Sequence, residues 1–408
     1  MKTLDPLSVS KVEAEKRYDE IRKPKFNDEY WRFSSPEKFT SEKPLGQISK
    51  NKEEVIDFET SDCLRISFVD GCLNMKESNL GEFKDIEVFS MGSEEVKKVD
   101  WINDLYGSIE KESQKKLGRG LAAYNSAYAK EGVFIRVSGQ LKQHIVIDYS
   151  SERGRSDALI HNLLRIEASA SVTLIETGEG ASRVNRMLEC DILEHGECNH
   201  VRFFGANTSA HILAQCFVRQ AFSSTYNQFS LTFENLFARN ETSISLEGEG
   251  CMSSISAASI GVEGSSQDDT VYIAHMMPNC KSRQVFKKVL RDDAVGIFQG
   301  KIFVDPKSQK TDGYQISKGL LLNAASRFLT KPELEIYADD VICSHGSTCG
   351  DIDEDSLFYL MSRGIPKEQC ISMLTLAFLD EALEEVVDDL LVQKIRGFLI
   401  KKLGIDFE

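Results

Sequence analysis

From Val133 onward the chain alternates between apolar and polar positions. "VFIRVSG", "HIVIDYS", "NLLRIEA", "SVTLIET", "HVRFFGA", "NQFSLTFE" and "VYIAHMM" follow one another, rich in Val, Ile, Phe and Thr. A period of two in short runs is the mark of strands with one buried face. Turn residues return roughly every 8–12 positions. No ten-residue helical pattern intervenes, which excludes alternating strands and helices in a βαβ fold. A sandwich, a barrel or a parallel β-helix would give this spacing. The similarity of the strands and the short polar turns favour the solenoid.

The period changes at both ends. "SVSKVEAEKRYDEIRK" reads as a helix opened by a serine cap, "EYWRF" (Glu29 to Phe33) as an aromatic anchor, and the prolines at 24, 36 and 44 as a linker. "CLRISFVDGCLN" predicts a hairpin turning at Asp70-Gly71, and the stretch from Glu94 to Gly132 looks helical. After Asp353 a capped helix should stop at Gly364, with Pro366 opening the next. There Cys370, Met373, Leu374, Ala377 and Phe378 are expected on one face, and Val386, Val387, Leu390 and Leu391 together on the following helix. Three regions result: a mixed, partly helical 1–130, a β core over 131–350, and a helical 351–408.

Composition narrows the function. Of 408 residues, 41% are hydrophobic and 28% charged, as in soluble globular chains. With 49 basic and 64 acidic residues the net charge is -15. That repels phosphate backbones, and no basic patch offsets it, so nucleic acid is not an expected partner. No signal-like or membrane-length apolar run is present, so a cytoplasmic protein is expected. The ten cysteines form no C-x-x-C pair and no disulfide framework. There is no phosphate-binding G-x-x-x-x-G-K-[ST], no G-x-G-x-x-G opening a helix and no G-x-S-x-G elbow.

The densest chemistry lies in "YADDVICSHGSTCG", Tyr337 to Gly350. On a strand, Val341, Cys343 and His345 share one face. A thiol and an imidazole two residues apart can share a soft metal, but two ligands leave a tetrahedral site open. Cys349 could curl back to add a third, or another chain could complete the shell. Asp339 and Asp340 are adjacent, so on a strand they would diverge, which is poor geometry for an acid/base pair. "LECDILEHGECNH" gathers Cys190, His195, Cys198 and His200 without a zinc spacing and reads as ordinary strand residues.

"FVDPKSQKTDGYQISKGLLL" (Phe303 to Leu322), "TKPELEIYADDVICSHGSTCGDIDEDSLFYLMSRGI" (Thr330 to Ile365) and "LAAYNSAYAKEGVFIRV" (Leu121 to Val137) resemble the SufD branch of the SufB/SufD family of iron–sulfur cluster assembly proteins. The resemblance implies a right-handed parallel β-helix between helical ends. It implies a non-catalytic scaffold that pairs with a SufB-type paralogue and binds the ATPase SufC through its C-terminal helices, with Met373, Leu374 and Phe378 as contact residues. It assigns Cys343 and His345 to an interface where a cluster forms transiently, with no cofactor held tightly by the chain alone and a homodimer as an option in isolation. Cys349 stands where the family has apolar or small residues. Two other functions fit the residues: a β-helix enzyme acting on polysaccharide through Asp339 or Asp340, and a self-contained zinc protein using Cys343, His345 and Cys349.

Overall fold

The computed structural model describes residues 5–25, 28–41, 56–58, 63–79, 83–114, 117–152, 157–205 and 209–405. Its body is a parallel β-solenoid of about seven turns. Each turn gives one strand to each of two facing sheets. In the first sheet Glu197–Phe204, Thr225–Phe233, Met252–Gly261, Lys281–Leu290, Thr311–Leu321 and Val341–Gly350 stack in register. In the second, Arg183–Ile192, His211–Gln220, Phe237–Leu246, Ser266–His275, Val295–Val304 and Arg327–Ile336 do the same. Alternate side chains point into the lumen, where Ile160, Leu174, Val184, Ile255, Ile273 and Phe298 are fully buried. Period-two patterning is thus the visible trace of the lumen wall.

The corners repeat as strictly as the strands. Ser169, His195, Ser223, Asn279 and Lys310 all take left-handed backbone angles, φ 52 to 61. Each donates its N–H to a carbonyl one turn later: His195 to Phe222 at 2.9 Å, Ser223 to Glu249 at 2.9 Å, Asn279 to Gln309 at 3.0 Å. This ladder satisfies the backbone where the sheets break off. His195 is therefore a corner residue stacked edge-on against Phe222.

The two ends of the solenoid differ. At the first turn the Asp70-Gly71 hairpin forms as expected and lays Cys72–Leu73 antiparallel beside Leu64–Val69. On the other sheet Ile86–Ser90 runs antiparallel to Val133–Val137. Both parallel ladders therefore end on a reversed strand. At the last turn nothing among the described residues follows Arg327–Ile336 or Val341–Gly350.

Helices cover the outer faces. The N-terminal helix Pro6–Ile21 is capped by Asp5, which accepts from Ser8 N–H at 3.0 Å, so the cap lies upstream of the expected serine. The expected helical stretch after Glu94 is broken into four short pieces, Glu94–Lys98, Asp100–Leu105, Ser108–Gln114 and Gly120–Tyr128. They pack Trp101, Ile102, Leu105 and Ile109 on the second sheet. The aromatic anchor holds: Trp31 lies 4.1 Å from the guanidinium of fully buried Arg239, and Tyr30 reaches Glu333 on the last turn.

Three helices follow, Glu354–Ser362, Lys367–Leu383 and Asp389–Lys402; the second and third pack on the first sheet, and the first leans on the second. Asp353 caps the first, accepting from Ser356 N–H at 2.7 Å, and Gly364 (φ 87) follows its end. In the second helix the buried stripe is Cys370, Leu376, Leu379, Ala382 and Leu383. That is rotated from the expected face, and Ala377 points to solvent. The expected grouping before the third helix also fails. The chain breaks before Asp389, Leu391 is buried, and Val387 and Leu390 are exposed. Polar contacts hold the layer down: the ion pairs Lys318–Glu381 at 3.3 Å and Arg283–Glu385 at 2.6 Å, and a His144–Asp388 hydrogen bond at 3.0 Å.

A candidate cluster site at the open end

Among the described residues the last turn has a partner strand on one side only. Val341–Gly350 pairs with Thr311–Leu321, and Arg327–Ile336 pairs with Val295–Val304. Their other edges leave backbone donors and acceptors free, the condition that natural proteins normally blunt. Around the connecting loop stand Ile342, 75% exposed, and Tyr337, 58% exposed. The loop is held from below. Asp340 N–H donates to Gln309 Oε1 at 2.9 Å, and Lys310 N–H donates to the Asp340 carbonyl at 2.6 Å.

Cys343 and His345 share one face of this strand, as the alternation predicted, and that face is turned to the lumen. Two contacts fix that face. Cys343 packs with Ile302, Val304 and Ala338 of the lumen. Ser347 donates to Thr330 Oγ1 on the facing sheet at 3.0 Å and accepts from Ser317 at 2.9 Å. Because no turn lies above, the inward-facing pair still meets solvent: Cys343 is half-buried and His345 is exposed. Burial pushes the Cys343 thiol above its usual range, Gly313 N–H opposes this, and Asp312 adds to the rise. The unliganded thiol is therefore protonated near neutral pH, and a metal ion would have to displace that proton.

The self-contained zinc reading fails on this geometry. The strand stays in its ladder to Gly350, with Gly346 beside Ile316 and Gly350 beside Leu320. Cys349 is then six residues along a straight strand from Cys343, about 20 Å away, and cannot curl back. Among the described residues no group of three or more His, Cys, Asp or Glu is placed to hold a metal ion. A self-contained zinc site built on Cys343, His345 and Cys349 is therefore excluded. Asp339 and Asp340 lie in the loop between the strands, exposed, so the sequence-based picture of both on a strand is corrected. Cys190, Cys198 and His200 are buried in the solenoid, where His200 bonds Glu176 at 3.0 Å and Tyr226 at 2.9 Å.

Met373, Leu374 and Phe378 are each half-buried. Met373 and Phe378 pack onto the layer's own core, and Lys287 Nζ sits 4.7 Å from the Phe378 ring centroid. The unpartnered apolar surface is on Glu354–Ser362, where no residue is buried and Phe358 is 75% exposed beside Tyr359 and Met361. Sequence reading missed this surface. Its signal was there in "SLFYLM", more apolar than a short solvated helix needs to be.

The profile described as "SUF system FeS cluster assembly, SufBD core domain" matches residues 149–378, which include the whole open end. The chain belongs to the SufBD family. It is similar to the Escherichia coli iron–sulfur cluster assembly protein SufD, 28% identical over 88% of this chain and 83% of that protein. A Bacillus subtilis SufD is 29% identical over 40% of this chain and 36% of its own length. A SufBD family protein of Synechocystis is 28% identical over half of this chain and 45% of its own. The family core thus runs through the solenoid into the helix Lys367–Leu383. No helix among the described residues is long and apolar enough to cross a membrane.

Proposed function

We propose that this chain is a non-catalytic scaffold subunit for assembling iron–sulfur clusters in a SUF system, with the nascent cluster as its cargo. The reading rests on one observation: a thiol and an imidazole stand two residues apart on the lumen face of a strand whose outer edge is free. A soft thiolate and a borderline imidazole both suit iron. At about 7 Å between their Cα atoms they can reach one metal centre, and they leave the rest of its shell to another chain. A SufB-type paralogue that adds its strands to both free edges would bring those ligands and bury Ile342 and Tyr337. The exposed face of Glu354–Ser362 suits docking of a SufC-type ATPase, with Met373, Leu374 and Phe378 supporting that surface from behind. Cytoplasmic location follows from the same reading.

The test is co-expression with the paralogue and the ATPase, followed by iron and sulfide analysis of the purified assembly. Wild type should carry both elements. His345→Ala and Cys343→Ser should lose most of them while still pairing. Wild-type iron and sulfide in both variants would refute the assignment. In isolation the same free edges suit a homodimer, which light scattering would detect.

A further inference from the structure

Gln315 lies on Thr311–Leu321, one turn beneath His345 and in register with it. Its side chain is fully buried, yet neither amide atom has a hydrogen-bond partner. Gln284, one turn lower, is buried and unbonded in the same way. Room for the Gln315 amide is made by a glycine on the opposite wall. A Cβ on Gly300 would stand 2.6 Å from Gln315 Oε1. A second glycine clears the space beneath the thiol, since a Cβ on Gly313 would stand 3.2 Å from Cys343 Sγ. The turn beneath the mouth thus gives up side-chain volume twice, at Gly300 beside the Gln315 amide and at Gly313 beneath the Cys343 thiol.

Buried polar atoms left unbonded destabilise a fold, and an apolar residue of equal length would fill the space without that cost. An unsatisfied amide below a ligand site therefore points to a bond made in another state of the molecule. Metal-binding histidines usually hold their second ring nitrogen in a hydrogen bond that sets the tautomer and the ring orientation. His345 has no such partner on its own strand, and Gln315 is the polar side chain directly below it.

We propose that Gln315 is a positioning residue for the cluster site. When the open end is closed by a partner, its amide oxygen accepts the inward N–H of His345 and turns the other ring nitrogen toward the cargo. This rests on the cluster-scaffold reading above.

The experiment compares Gln315→Met, Gln284→Met and His345→Ala, as single chains and in the co-purified assembly. Single chains are melted, and assemblies are assayed for bound iron and sulfide. Gln315→Met should melt at or above the wild-type temperature while its assembly loses iron about tenfold or more. Gln284→Met, a turn too deep to reach the imidazole, should gain stability and keep wild-type iron. A purely structural glutamine would give the opposite pattern, a lower melting temperature with normal iron, and would overturn the proposal. Normal iron in Gln315→Met with depleted iron in His345→Ala overturns this proposal alone. Normal iron in both removes the scaffold reading with it.

Discussion

Ile342 offers the most direct probe of the open end. Its side chain points away from the lumen on the terminal strand and is 75% exposed. Burying an isoleucine completely contributes roughly 1.5–3 kcal/mol. Three quarters of that, at most about 1–2 kcal/mol, is still available to a strand that docks alongside. Ile342→Lys forfeits it and adds the cost of desolvating an ammonium group. At 1.4 kcal/mol per tenfold, affinity for a SufB-type paralogue should weaken by about 5- to 30-fold or more. The chain's own stability should change by no more than about 0.5 kcal/mol, because the residue supports no packing in the single chain. Titration calorimetry against the purified paralogue, with a thermal melt beside it, reads both quantities. An unchanged Kd in a normally melting variant would show that pairing does not use this edge.

Four further outcomes are expected. Phe358→Asp should abolish recruitment of the ATPase in a pull-down without altering the melt, whereas Phe378→Asp should loosen the helical layer itself; the reverse ranking would misplace the docking surface. Phe398 packs edge-on against Phe203 and Phe233 at 5.1 and 5.2 Å, so Phe398→Ala should cost about 3–5 kcal/mol. In hydrogen exchange the loss should fall on Lys367–Leu383 and Asp389–Lys402, not on the lumen strands. Burial alone would raise the Glu176 carboxyl, but Arg186, a bond from His200, and Arg202 hold it down at about 2. Since its folded value lies below the ordinary 4.5, it contributes stability above that pH, on the order of 3 kcal/mol, lost as pH falls from about 4.5 to about 2. Urea midpoints across that window should fall more steeply in wild type than in Glu176→Gln, which keeps only the share of other depressed carboxylates such as Glu241. Finally, exposed Cys349 should react with iodoacetamide near neutral pH well before Cys343, whose raised thiol pKa leaves it less thiolate; mass spectrometry of timed samples would expose the opposite order.

Much of the fold was legible because a solenoid repeats one local rule. Each lumen strand obeys the same alternation, so "HVRFFGA" and "NQFSLTFE" announce the stack without reference to distant residues. The capped helix after Asp353 was readable for the same reason: a cap is a local bond. What failed was orientation. The buried stripe of Lys367–Leu383 depends on which side faces the sheet, and its amphipathicity is too weak to say, with Leu374 and Ala377 as apolar as Leu376 and Leu379. The Cys343–His345 pair was visible as a dipeptide spacing, but its exposure follows from being last in the stack, which no window of sequence contains. Gln315 was invisible because its meaning lies in Gly300 on the other sheet and in His345 a full turn later.

The reversed strands at the first turn and the bare edges at the last make the rod directional. A stack open at both tips would recruit neighbour after neighbour and lengthen into a fibre. The reversed strands break the parallel register at one tip, so a parallel tip that meets another is used up, and growth stops at two. Unequal ends therefore protect a long parallel β-structure from polymerising.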